Sequence, residues 1–187
     1  YSEINYDGTL RWWFKQYIAS PKSTTDTPGE VDTDNGVLIL RKNKDTNTPN
    51  SLYVQPYGLS GTPLNFNPKY AEVMQIRFKM DNLKSIPDTG AFFRLWYFKE
   101  DGSRTYDVSY SFGSDFVSDG EYMTLTLDLY TQADINANAS VSGFPSQPMN
   151  KLSKVTGLNL GFHELTRTDS TKDGVITIDH LYIGPRA

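Results

Sequence analysis

Arg77, Arg94, Trp96, Asp128, Asn159 and His163 are the residues of this chain whose types could act on a ligand together. A pyranose ring offers a face of C–H bonds that packs on an aromatic plane, and its hydroxyls seek guanidinium, amide or carboxylate partners. An indole flanked by Arg, Asn, Asp and His side chains meets both demands. Tyr53 and Tyr57, with Gln55, share one face of their own segment and extend the platform. Tyr110, with Tyr106, does the same. The chemistry these groups suit is the holding of a polar ligand.

Bond-breaking chemistry is poorly supplied. A nucleophile–base pair needs a hydroxyl or thiol beside a histidine. The chain has only His163 and His180, and no glycine-flanked nucleophile elbow. With no cysteine, a zinc site lacks ligands. A paired-carboxylate hydrolase needs two acids across a cleft. Sandwich glucanases carry closely spaced acids on one strand face, and no Glu-x-Asp-x-Glu run occurs here. Tyr97-Phe98-Lys99 echoes a strand motif of sandwich alginate lyases, but their Gln-Ile-His segment is missing, because Gln75-Ile76 is followed by Arg77. The expectation is a protein that is not an enzyme. Two other readings use the same residues. One is a structural or adhesion spacer of a surface protein. The other is a small polysaccharide lyase with Tyr110 or His163 as base and Arg94 neutralising a uronate.

Calcium is the ion the acidic residues suit, since it takes hard oxygen ligands. Asn5 and Asp7 precede Gly8, and Asp179 interrupts an otherwise apolar run from Ile176 to Ile183. An aspartate placed among such residues requires a partner if buried. Of the two histidines, His180 beside Asp179 reads as structural, and His163 at a strand end reads as a ligand contact.

The elements that must position these groups are strands. Met74 to Met80, Phe92 to Phe98, Met123 to Leu129 and Leu158 to His163 alternate apolar with polar or aromatic residues. A period of two sends successive side chains to opposite faces, so one register builds a core and the other a wetter face. Gly, Pro, Asn, Asp and Ser clusters divide the chain into strands at 11–18, 36–41, 51–57, 73–80, 91–98, 105–112, 122–130, 155–163 and 175–183. The segments 20–33, 42–50 and 138–150 read as loops, and a short helical turn is expected after Asn67. Of Trp12 and Trp13, adjacent on one strand, one faces the core. The expected fold is all-β, a two-sheet antiparallel sandwich of the jelly-roll type, over residues 1–187 as one domain.

Bulk properties narrow the partners. The formal net charge is −4 with no basic run, which disfavours nucleic acid. No apolar stretch approaches the roughly 20 residues of a membrane helix. The 12 tyrosines exceed what strand propensity asks for and suit recognition surfaces. The chain opens at Tyr1 without Met and ends in Pro185-Arg186-Ala187, as expected of a module excised between neighbours.

Three segments carry a resemblance. Ile4-Asn5-Tyr6-Asp7-Gly8 through Trp12-Trp13, the run from Leu64-Asn65-Phe66 to Ile76-Arg77-Phe78-Lys79, and the ending Gly174 to Gly184 resemble jelly-roll, galactose-binding-like carbohydrate-binding modules of multimodular bacterial proteins. The resemblance implies a glycan groove on the concave sheet or along one edge. It also implies a structural calcium between the N-terminal segment and the last strand, where Asp179 matches well and Asn5 and Asp7 approximately. It departs at the 20–33 loop and the 130–154 insertion. The resulting expectation is a non-catalytic module, secreted or displayed on a bacterial cell surface. It would tether flanking modules of its polypeptide to a polysaccharide or glycan, with no nucleic acid and no membrane insertion.

Overall fold

The computed structural model describes residues 2–4, 10–12, 29–32, 36–45, 51–54, 68–101, 108–129, 141–142, 149 and 152–185. The strands are β1 (Ser2–Ile4), β2 (Leu10–Trp12), β3 (Gly29–Asp32), β4 (Val37–Lys42), β5 (Leu52–Val54), β6 (Val73–Asp81) and β7 (Leu83–Ser85). They continue as β8 (Ala91–Phe98), β9 (Val108–Gly113), β10 (Tyr122–Asp128), β11 (Val141–Ser142), β12 (Gly157–His163), β13 (Leu165–Arg167) and β14 (Gly174–Gly184). One 3-10 turn, Pro68–Tyr70, stands where a helical turn is expected. β3 and β11 lie inside segments that read as loops, so that reading is corrected. Both are short strands along a sheet edge, and edge pairing needs no apolar alternation.

Two sheets face each other. The back sheet has seven strands, with β14 paired to β6 along one side and to β4 and β2 along the other. Beyond them lie β10, β3 and β1. The front sheet has five strands in the order β11-β9-β8-β12-β5. β7 and β13 form a two-stranded ribbon. All these pairings are antiparallel. The all-β sandwich expected from the alternation is the fold observed.

The alternation explains the layers. From β6, Met74, Ile76, Phe78 and Met80 are buried; from β8, Phe93, Leu95 and Tyr97; from β12, Leu158, Leu160 and Phe162. Phe78 meets Phe162 edge-on at 5.1 Å, and Phe162 meets Phe93 at the same separation, which joins the two sheets. β14 changes register against β6 between Ile178 and His180. That bulge lets Ile176 and Ile178, then Leu181 and Ile183, all reach the core although their parity changes. Gly90 turns into β8 at φ +75°, and a Cβ there would sit 3.3 Å from the Ser114 nitrogen, so a side chain is disfavoured on two counts.

Candidate functional site

Side chains that alternate away from the core form two outer faces, one on each sheet. On the front sheet the outer positions of β8 are Phe92, Arg94 and Trp96, and those of β12 are Asn159, Gly161 and His163. Register sets Phe92 opposite His163, Arg94 opposite Gly161 and Trp96 opposite Asn159. On the far side of β8, Ser111 and Ser109 oppose Phe92 and Arg94. Tyr53 of β5 opposes Gly161, which puts its backbone at the rim of this face.

These groups form one connected array. The His163 imidazole stacks on Phe92 at 4.7 Å with an 8° tilt and meets Trp96 edge-on at 5.6 Å. The Arg94 guanidinium lies 4.7 Å from the Phe92 ring centroid and 5.7 Å from that of Trp96. Such cation–aromatic contacts are worth about 0.5–2 kcal/mol, depending on desolvation. Arg94 Nε donates to Ser109 Oγ at 3.3 Å. Ser51 Oγ shares a hydrogen bond of 3.0 Å with His163 Nδ1. Asn159, His163 and Ser109 are buried, Phe92 and Arg94 are half-buried, and Trp96 keeps 9% exposure. No sequence signal links Ser51 to His163, which lie 112 residues apart. Their pairing sets a hydroxyl beside a histidine.

The expected single ligand face is corrected. Arg77 belongs to β6, and its outer face is that of the back sheet, on the opposite side of the sandwich from Trp96. Asp128 lies at the end of β10 in that same sheet. Arg77 Nη1 pairs with Asp179 at 2.5 Å and covers the Tyr122 ring at 4.0 Å, with Lys79 at 5.6 Å from the same ring. Tyr110 is corrected as well. It opposes Phe93 in register and packs on Phe112 at 5.5 Å against the core, so it does not share the front outer face. Trp96 is no open platform, because its ring is packed against His163 and Arg94. Tyr57 lies outside the described residues, as do Tyr106 and Gln55.

The metal ligands expected from the sequence divide in the same way. Asn5 and Asp7 lie outside the described residues. β2 does lie beside β14, with Trp12 opposite Leu181, so the N-terminal chain borders the last strand. Asp179 finds its partner in Arg77, with His180 Nδ1 at 3.7 Å. Among the described residues no three acidic or histidine side chains gather around one point. The acidic loop at 169–173 is spanned by Asn82, whose Nδ2 donates to the carbonyls of Asp169, Lys172 and Asp173 at 2.9–3.2 Å. Within it, bonds from Thr171 hold the Asp169 carboxyl below its usual range.

No protein-family model matches the chain, and no curated protein matches it. Solved structures do. PfGH50B superposes with a TM-score of 0.51 at 14% identity over 91% of this chain and 24% of its own. A Bacillus licheniformis β-glucanase superposes with a TM-score of 0.50 at 8% identity over 97% of this chain and 100% of its own. Arabinose-bound MgGH51 α-L-arabinofuranosidase gives 0.50 at 10% identity over 100% of this chain and 27% of its own. The chain thus spans about a quarter of PfGH50B and of the arabinofuranosidase. What is shared at these identities is the fold. The expectation of a protein that is not an enzyme is overturned here. A β-glucanase is built on the same sandwich over its whole length, so the fold does not exclude an enzyme.

Proposed function

We propose that this sandwich is a carbohydrate-recognising domain that lays a polysaccharide against the outer face of its front sheet. It would do so within a larger secreted or cell-surface bacterial protein. The observation that carries the reading is Arg94. Its guanidinium is half-buried over the Phe92 ring and beside Trp96, on the face of β8 turned away from the apolar cluster between the sheets. Planar donors set among aromatic rings suit sugars, which combine hydroxyl acceptors with apolar C–H faces. The carbohydrate-active proteins that share the fold support the same reading.

A second reading is favoured by one contact. Ser51 fixes His163 through Nδ1, which orients the imidazole as acid–base groups are oriented in catalytic sites. In that reading the face also transforms the glycan it holds.

Affinity electrophoresis against a panel of neutral and acidic polysaccharides tests the proposal. Arg94→Ala should weaken binding by about ten- to a hundred-fold, the range for losing a charge-assisted hydrogen bond. Binding unchanged in Arg94→Ala would refute the placement. Repeating the assay with a calcium chelator tests the proposed ion between Asp179 and the N-terminal segment. Reducing-end release and absorbance of unsaturated sugars, followed in the same mixtures, decide whether the face is catalytic.

A further inference from the structure

Asn159 is 1% exposed, yet it lies on the outer side of β12, opposite Trp96 in register. Its Oδ1 has no hydrogen-bond partner among the described residues. An acceptor taken out of water with no donor in exchange is destabilising, and such atoms are few in folded proteins. Gly161, the next residue on the same face, adds no side chain of its own, and the Trp96 ring lies toward His163, 5.6 Å from it. Arg94, a donor only, faces Gly161 across the ladder.

We propose that Asn159 Oδ1 is a specificity-determining acceptor for a hydroxyl or amino group of the bound sugar. It favours neutral and amino sugars over sugars that present a carboxylate or sulfate at this position. The inference rests on the glycan-site reading above. An amide oxygen can only accept. A hydroxyl or ammonium donates to it, whereas an ionised carboxylate or sulfate ester turns lone pairs toward lone pairs. A vicinal diol satisfies the site at both ends, donating to Asn159 and accepting from Arg94.

Wild type, Asn159→Leu, Asn159→Asp and Arg94→Ala are compared as the full chain against mixed-linkage β-glucan, arabinan, chitosan, alginate and polygalacturonate. The expected result is wild-type binding to β-glucan, arabinan or chitosan, weakened at least about ten-fold in Asn159→Leu. Without ligand, Asn159→Leu should melt at the same or a higher temperature, because it removes an unfilled acceptor from the interior. Asn159→Asp keeps the shape and the acceptor and should shift preference toward the cationic chitosan. A lower melting temperature for Asn159→Leu would mean that Oδ1 is already filled, as by an internal water, and overturns the proposal. So does wild-type binding confined to alginate and polygalacturonate, or an Asn159→Asp preference identical to wild type. Weakening by Arg94→Ala with no effect of Asn159→Leu overturns this inference and leaves the glycan site standing. Wild type that binds none of the five removes the glycan site and this inference together.

Discussion

Trp96→Ala separates a ring that builds the site from a ring that merely touches a ligand. Trp96 keeps 9% of its surface exposed and contacts the His163 ring at 5.6 Å and the Arg94 guanidinium at 5.7 Å. A tryptophan buried to this degree removes roughly 150–250 Å² from water. At about 25 cal/mol per Å² that is about 4–6 kcal/mol, an upper bound because the unfolded chain already hides part of it. Large-to-alanine changes at buried aromatic positions cost about 3–5 kcal/mol. For a chain of 187 residues each kcal/mol moves Tm by about 2–4 °C, so a fall of roughly 10 °C is expected. Differential scanning calorimetry of the ligand-free protein measures it, with Trp96→Phe as the partial restoration. A Trp96→Ala protein that melts with wild type while losing glycan affinity would show an open stacking platform. That result would refute the packed position of the indole.

Two further outcomes rest on groups away from the site. Asn82 sits at φ 55° and bonds through both ends of its amide, accepting from the Asp169 nitrogen at 2.7 Å and donating to the loop carbonyls. Asn82→Ala should cost about 2–4 kcal/mol in urea unfolding, from lost hydrogen bonds and the left-handed backbone, and Asn82→Gly less, because it relieves the backbone part. Lys42 is 5% exposed, and burial, then the nearby Arg167, holds its pKa below the usual lysine value. The folded state therefore releases this proton at lower pH than the unfolded state. Its contribution to stability should rise with pH from the depressed pKa up to the ordinary lysine value and be absent below that window. Lys42→Met should abolish the alkaline rise, as followed by Tm across pH.

Much of the fold was legible because a strand's period of two is a local property. The inward sets of β6, β8 and β12 can be read from their own residues and all are buried, although in β12 the outward Asn159 and His163 are buried too. Even the bulge in β14 leaves a trace, since apolar residues fall at 176 and 178 and then at 181 and 183. The short strands β3 and β11 leave none, because they are held by edge pairing with β4 and β9.

The chain's own pattern thus determined that this is an all-β sandwich and which side chains of each strand turn from its core. It also placed Arg94, Trp96, Asn159 and His163 among the outward set. Tertiary structure alone decided which outward residues are neighbours. Periodicity states that a side chain faces away from the core but not from which sheet, and both sheets of a sandwich have an outer face. Arg77 and Trp96 carry the same local signature and lie on opposite sides of the molecule. Ser51 and His163, far apart in sequence, meet because β12 lies between β5 and β8. Pairing between strands distant along the chain is set by the packing of the whole core, which no window of sequence contains.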